Sequence, residues 1–371
     1  MPQRKREDLG QLLIIGFDGT EMTARLESLL TEIQPAGVIL FARNIETPKQ
    51  TWRLLRECRK CVSTPLFTCV DLEGGQVDRF RDVLGPTPSA AEVFSTSDRK
   101  LFRKHGQIIG ANCRALGFNL DFAPVLDLAF EASSAVMSSR AVSTSPQATA
   151  LYARGFLTGL RSARVLGCGK HFPGLGEGKL DSHHELPVIR KNPKKLWNED
   201  LLPYCILRTQ LPMVMISHAA FPVVTGDRTP ASLSSKWISE ILRQRIGYRN
   251  LTVSDDLEMG AVRAAGSVGE AAVTHIRAGG DLALVCHREE YIREAYARLT
   301  AAVASDSRFG KRAAESIKRV LSFKNKWAAT LRASKSPSSS LIDKLSRNLW
   351  EFGEQVRLEA LSQVEDTHQP A

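Results

Sequence analysis

The chain has 371 residues, 43% of them hydrophobic and 24% charged, with a formal net charge of +10. That is enough apolar material for one large core or two ordinary ones, and it excludes a wholly disordered chain. A membrane span is excluded as well, because no stretch approaches the roughly 20 consecutive apolar residues that one needs.

The N-terminus opens on charged residues from Arg4 to Asp8. The apolar run 12–17 behind them is too short for a secretory segment and lacks a small-residue cleavage site, so a cytoplasmic location is expected. Near-continuous apolar runs then recur at 12–18, 37–41, 66–71, 118–128, 165–171, 213–218, 251–255 and 281–286. Runs of this length suit strands buried on both faces, as in a parallel sheet. Amphipathic segments between them, such as 47–61, 147–163, 235–246 and 268–278, suit helices. Eight strand–helix units fit an α/β fold of the (β/α)8, or TIM, barrel type, although a doubly wound open sheet would give the same alternation.

The polar residues decide between the two. Asp71, His171, His218, Asp255 and His287 each stand at or just past the C-terminal end of a different apolar run. Convergence from many strands on one rim belongs to a barrel, whereas an open sheet gathers its site at one switch point. After the eighth run, 288–306 and 311–331 read as closing helices, 333–340 as a linker, and 341–364 as one more amphipathic helix. The expected organisation is a single catalytic domain over 1–331 with a helical extension over 332–371.

Seven cysteines, odd in number and scattered, fit reduced thiols. Cys58 and Cys61 spell C-x-x-C, but no second pair completes a zinc site. Excess Lys and Arg raise the question of nucleic acid, yet they are spread over the chain without a recognition motif, so no nucleic-acid partner is expected.

Chemistry concentrates in Lys170-His171-Phe172-Pro173-Gly174, then Asp181-Ser182-His183 in a Gly-rich stretch, then Ser254-Asp255-Asp256. A carboxylate at the end of a barrel strand points into the mouth and can act as nucleophile or charge stabiliser. Asp255 is placed for that, although Ser254, Asp255 and Asp256 would each also serve as a helix N-cap, Asp256 best of the three. Asp181 lies two residues before His183, and a carboxylate bonded to one imidazole nitrogen fixes the tautomer and raises the basicity of the other. Lys170 and His171 can donate hydrogen bonds to hydroxyls, or Lys170 can pair with a carboxylate inside the barrel. Asp71 and Arg79 bracket a diglycine turn, where carboxylate and cation suit a sugar's vicinal hydroxyls. Arg140 is a further candidate.

Together the segments 39–44 (ILFARN), 70–81 (VDLEGGQVDRFR) and 122–128 (FAPVLDL), the KHFPG and DSH stretches and SDDLEMG resemble the bacterial β-N-acetylhexosaminidases of glycoside hydrolase family 3, in its single-domain, cell-wall-recycling branch. The resemblance implies a TIM barrel with Asp255 as nucleophile and His183, held by Asp181, as general acid/base. It also implies that Asp71, Arg79, Arg140, Lys170 and His171 line a pocket for terminal N-acetylglucosamine, and a retaining reaction without metal or cofactor. The implied substrates are saccharides, N-acetylglucosaminyl-anhydromuropeptides, and a monomer is the default expectation. Leu175 and Gln76 depart from the His and Arg that many relatives carry, and Val142 and Ser145 make the pattern around Arg140 loose. Two other enzymatic readings keep the barrel: phosphorolysis at the same site, and a metal-dependent hydrolase with ligands among His171, Asp181, His183, His184 and His218. A nucleic-acid-binding barrel would rest on net charge alone.

Overall fold

The computed structural model describes residues 8–177, 186–263 and 266–366. Within them, eight short parallel strands form a closed barrel: β1 (Leu13–Ile15), β2 (Gly37–Ile39), β3 (Phe67–Val70), β4 (Leu120–Asp121), β5 (Leu166–Phe172), β6 (Met213–Ile216), β7 (Leu251–Asp256) and β8 (Leu282–Val285). Each pairs with its neighbours in sequence, and β1 closes the ring on β8 with Leu13, Ile14 and Ile15 opposite Ala283, Leu284 and Val285. The barrel expected from the alternation of apolar runs and amphipathic segments is therefore the one observed.

The outer ring is formed chiefly by α1 (Ala24–Ile33), α2 (Pro48–Lys60), α3 (Arg99–Ala115), α4 (Pro146–Ser162), α5 (Leu202–Leu207), α6 (Lys236–Arg245), α7 (Val268–Ala278) and α8 (Glu289–Ser305). Local chemistry starts α2 cleanly: the Thr47 hydroxyl accepts from Gln50 N, the Gln50 side chain accepts from Thr47 N, and Pro48 follows the cap. Its buried face is Thr51, Leu54, Leu55 and Cys58, at helical spacing. That spacing accounts for the C-x-x-C pair: Cys58 packs in the core, Cys61 caps the helix, and both thiols are free.

Residues two apart on a strand share a face, and this parity builds the interior. Phe67 and Cys69, Leu166 and Cys168, Leu251 and Val253, and Leu282 and Leu284 all belong to one cluster with Ile14, Ile39, Met213 and Met215. One step further along the same inward parity come Asp71, Lys170, Asp255 and Cys286, all lining the cavity at the mouth. The run 118–128, expected as one strand, is regular only over Leu120–Asp121. Pro124 has no N–H for the ladder, and pairing resumes at Val125, which bridges Lys170.

Beyond α8 the chain continues through α9 (Ser307–Lys326) to α10 (Ser339–Asp366). The stretch between them, part of which was expected as a linker, is strapped to the barrel. Arg114 donates to Thr330 O and Arg332 O, Arg59 to Leu331 O, and Trp52 Nε1 to Ser334 O. Leu345, Leu349, Phe352 and Val356 of α10 are buried, and the Phe352 ring stacks on His105 of α3 at 5.7 Å. Among the described residues no helix is long and apolar enough to cross a membrane.

At the opposite end of the barrel from the mouth, Asp281 is fully buried. Its carboxylate accepts from Arg243 Nη2 at 2.5 Å and Thr252 N at 3.0 Å, and is bonded by Arg319. Burial alone would raise its pKa, but Arg243 and Arg319 outweigh this and hold it below the usual value. Removing one partner of such a buried set costs about 3–5 kcal/mol, because the remaining charges are left uncompensated. Asp281→Ala should accordingly lower the stability measured by urea unfolding by about that amount; a loss under about 1 kcal/mol would mean a solvent-screened pair instead.

Candidate functional site

The cavity at the mouth holds about 190 Å³ and is lined by residues of β2, β5, β6, β7 and β8 and by the segments that follow β2, β3, β4, β5, β7 and β8. Its ionisable lining is dense: Asp71, Glu73, Arg79, Arg140, Lys170, His171, Asp255, Asp256 and His287. A wider groove of about 840 Å³, between the Gly75–Gln76 turn and α10, has, among the described residues, Arg81, Glu92 and Arg357 as its ionisable lining. Convergent charge thus singles out the smaller cavity.

On one wall, Asp71 directly follows β3 and the chain turns through a two-stranded hairpin, Leu72–Gly74 and Val77–Asp78. The turn runs through Gly74 and Gly75 at φ 85° and 59°, values that favour glycine. It aims Glu73 inward, where it is 4% exposed. Arg140 grips Glu73 with two bonds, Nε to Oε2 at 2.7 Å and Nη2 to Oε1 at 2.9 Å. Lys170 lies between two carboxylates, 2.7 Å from Asp71 Oδ1 and 2.6 Å from Glu73 Oε1. Burial pulls the Glu73 pKa up, but Arg140 and Lys170 outweigh it and hold the carboxyl well below its usual range. For Lys170 burial acts downward, and Asp71 and Glu73 overcome it, so the ammonium stays charged.

Next to Lys170, His171 Nδ1 lies 2.6 Å from Asp127 Oδ2. Asp127 also accepts from His171 N at 3.2 Å and, through Oδ1, from Leu175 N at 2.7 Å. A carboxylate on Nδ1 leaves Nε2 as the ring nitrogen without a hydrogen bond among the described residues. Leu175, one of the departures noted in the sequence, closes the cavity beside it.

On the facing wall the two consecutive carboxylates of β7 differ. Asp256 is fully occupied: Oδ1 accepts from Glu258 N at 3.1 Å, Oδ2 lies 3.3 Å from His287 Nε2, and its carbonyl bonds His218 Nε2 at 2.8 Å. It holds the turn that follows the strand and is not the helix N-cap that its sequence context suggested, since the next helix begins only at Gly260. Asp255 accepts from Asp256 N at 2.9 Å and faces the cavity. Burial would raise its pKa, but His218, His171, the Asp256 N–H and Lys170 together bring it below the usual value, so it is ionised at neutral pH.

His218 is buried with both ring nitrogens engaged, Nδ1 at 2.7 Å from Ser232 Oγ and Nε2 on Asp256 O, and burial lowers its pKa. It has no nitrogen left for a metal. Arg79 lines the cavity with its guanidinium 5.9 Å from the centroid of Phe41, and His287 stacks on the same ring at 5.3 Å. Among the described residues Arg79 makes no ion pair, and its Nε is buried without a hydrogen-bond partner. The cation beside Asp71 is therefore Lys170, where the sequence offered Arg79. Asp181, His183 and His184 lie outside the described residues.

Of the predicted site, Asp71, Arg79, Arg140, Lys170, His171 and Asp255 are thus brought together. Sequence reasoning missed Glu73, Asp127 and Phe41 as parts of it; it placed His287 on the rim without giving it a role. Glu73 had a signal, being two residues beyond Asp71 in DLEGG. Asp127 had a weaker one: it falls in the segment 122–128 that carried the resemblance, but 44 residues separate it from His171 and nothing in the sequence pairs the two.

Because Glu73 is buried between two cations, Glu73→Gln should cost about 3–5 kcal/mol at neutral pH. Its lowered pKa makes this contribution complete above the ordinary value of 4.5 and lost only as pH falls through the depressed folded value. Urea unfolding of both proteins should therefore show the same gap at about pH 7 and pH 5. A gap that has closed by pH 5 would mean that Glu73 titrates as an exposed carboxylate.

The chain matches the glycosyl hydrolase family 3 N terminal domain over residues 5–323. It is 36% identical over 296 residues to a beta-hexosaminidase of Bordetella avium, spanning 78% of this chain and 84% of that protein. The structure of a glycoside hydrolase family 3 beta-N-acetylglucosaminidase from Paenibacillus sp. FPU-7 superposes with a TM-score of 0.88 at 32% identity, covering 95% of this chain and 68% of that one. M. tuberculosis LpqI gives a TM-score of 0.78 at 31% identity, covering 86% and 93%.

Proposed function

Since the chain belongs to glycosyl hydrolase family 3, and is therefore a glycoside hydrolase, we propose that it removes terminal β-linked N-acetylglucosamine with retention, through a covalent intermediate on Asp255. The single observation that carries the reading is the state of Asp255: an ionised carboxylate facing the cavity, beside a fully engaged Asp256. Similarity to a beta-hexosaminidase and to a beta-N-acetylglucosaminidase supports the choice of sugar.

In this mechanism the sugar enters the cavity with its hydroxyls against Asp71, Lys170, Arg140, Arg79 and Nε2 of His171. Asp71 accepts and the cations donate. Asp255 attacks the anomeric carbon while His183, paired with Asp181, gives its proton to the departing glycosidic oxygen. The neutral imidazole then takes a proton from water as the water attacks the glycosyl-enzyme, releasing the sugar and restoring the Asp255 carboxylate. The substrates we propose are fragments of peptidoglycan, N-acetylglucosaminyl-anhydromuropeptides, degraded in the cytoplasm during wall recycling. We assign the chemistry to residues 1–331, with 332–371 a helical extension packed on that domain.

A second reading, phosphorolysis, is favoured by Arg79, a cation in the cavity without a carboxylate partner among the described residues. A neutral His183 would repel phosphate less than a carboxylate would. Phosphate-dependent release of sugar 1-phosphate separates the two.

Release of nitrophenol from 4-nitrophenyl N-acetyl-β-D-glucosaminide, with the β-glucoside as control, tests the sugar assignment; equal turnover of both would reject it. Asp255→Ala should lose at least about 10⁴-fold in kcat, with Asp256 the next nucleophile to examine if activity survives. His183→Ala should lose about 10²–10⁴-fold on saccharide leaving groups and far less on nitrophenol, whose departure needs little protonation. The lowered pKa of Asp255 also sets the acid side of the pH profile: kcat/KM should hold level down to about pH 5. A limb centred above that would mean a nucleophile with a raised pKa.

A further inference from the structure

The cavity that Asp255 faces has room for one sugar. Its volume of about 190 Å³ is below the roughly 300–1,000 Å³ of pockets that enclose a larger ligand, so the unit released as leaving group must lie outside it. Two larger cavities open nearby. The groove of about 840 Å³ beside α10 shares no described lining residue with the mouth cavity. The other, of about 430 Å³, lies between the segments that follow β1 and β8 and the N-terminal halves of α1 and α8. It meets the mouth cavity at His287, which lines both.

Direction points the same way. Asp71 and Arg140 follow β3 and β4, Lys170 and His171 belong to β5, and Asp255 belongs to β7. With the hydroxyls on carbons 3 and 4 of a terminal sugar held by the first four, the anomeric carbon, across the pyranose ring, falls toward β7. The bond to the leaving group therefore points away from β3, β4 and β5. In the closed ring the strands opposite those are β7, β8 and β1, and the cavity of about 430 Å³ opens beside the last two.

His287 is held in place there. Its ring stacks on Phe41 with centroids 5.3 Å apart and planes 23° from parallel. Nε2 lies 3.3 Å from Asp256 Oδ2, and the backbone N donates to Glu258 Oε1 at 2.6 Å. Arg43 fixes the preceding residue by donating to Cys286 O at 2.9 Å. The side chain is nevertheless 47% exposed. An aromatic ring held this firmly, with half its surface open, suits the apolar face of a sugar. Around it the charges of the second cavity are matched. Arg25 Nε lies 2.5 Å from Glu289 Oε2, Arg288 Nη1 3.6 Å from Glu290 Oε1, and Asp18 Oδ1 2.9 Å from Arg43 Nε. Paired groups of this kind present donors and acceptors with little net charge, which fits hydroxyls and amides better than a free anion.

From this geometry we propose that His287 carries a leaving-group subsite, in which its ring supports the second sugar of the substrate. The proposal rests on the assignment of terminal N-acetylglucosamine to the mouth cavity.

The test measures hydrolysis of N,N′-diacetylchitobiose, which spans both cavities, and its inhibition by N-acetylglucosamine, which fills only the first. His287→Gln keeps a donor for Asp256 and removes the ring. It should raise KM for the disaccharide about 3- to 10-fold, while kcat and the inhibition constant of N-acetylglucosamine each stay within about 2-fold. His287→Phe keeps the ring and removes the donor, and should hold KM within about 2-fold of the parent. Arg288→Gln, at an exposed side chain of the second cavity, should raise KM in the same selective way and serves if the His287 variants do not fold. An unchanged KM in His287→Gln would overturn the proposal. So would an equal loss in His287→Phe, which would place the effect in the contact with Asp256, or a parallel rise in the inhibition constant, which would place it in the mouth cavity. If the parent enzyme releases N-acetylglucosamine from neither the disaccharide nor the nitrophenyl glycoside, the sugar assignment itself fails, and the subsite falls with it.

Discussion

Lys170 sits at the centre of the site because it has to satisfy two carboxylates at once. Its ammonium is almost fully buried between Asp71 and Glu73, and Glu73 is shared with Arg140. Such a cluster is weak evidence for stability, since desolvation consumes most of the Coulomb gain. What it imposes is registry: Asp71 directly follows β3, Glu73 lies on the hairpin, Lys170 on β5 and Arg140 on the loop after β4. With two cations facing two carboxylates, no member can turn away without stranding a partner. The result is a wall whose hydrogen-bonding groups are set in place before any sugar arrives, which lowers the ordering that binding requires.

The barrel was legible in the sequence because burial on both faces leaves so clear a trace. The run 281–286 is apolar throughout after Asp281, 251–255 alternates apolar residues with Thr252 and Ser254, and parity within each carries the inward face directly to Asp255 and Cys286. Parity failed where the backbone changed course. Pro124 interrupts the fourth run, and from there on residue count no longer tells which way a side chain points, which hid Asp127. Glu73 was hidden differently. It sits on a hairpin after the strand has ended, and only the glycine turn at 74–75 swings it back into the mouth. Asp181 and His183 became candidates through adjacency, but their roles came from resemblance to a family, because a short acidic–histidine spacing in a Gly-rich stretch has no periodicity to read.

The C-terminal part shows how a segment outside the family match can be integral to the fold. Its composition suggested a linker, rich in serine, then a helix of unstated purpose. Four backbone carbonyls between Thr330 and Ser334 are in fact taken by side chains of α2 and α3. Such bonds depend on the carbonyls and leave no mark in the residue types, so the sequence could not announce them. The helix α10 then covers His105, whose burial drives its pKa down to about 3 and keeps it neutral beside Tyr152. Phe352 completes that neutral aromatic stack, and an exposed His105 would have been free to charge at mildly acidic pH.

The contrast between Asp255 and Asp256 shows why residue type alone could not separate the two as candidates. Both are carboxylates on one strand, and both reach the cavity. Asp256 spends one oxygen on the turn that follows, the other on His287, and its carbonyl on His218. To attack a substrate it would have to give up the contacts of the attacking oxygen. Asp255 would give up least, because the contact it accepts comes from the peptide N–H next to it, which orients the carboxylate without neutralising it. His218 strengthens the division from beneath: fixed by Ser232 Oγ and bonded to Asp256 O, it holds the backbone where the turn leaves Asp256. The strand end is thereby divided into one residue that holds the turn and one that faces the cavity, a separation made by hydrogen bonding and not by the side chains themselves.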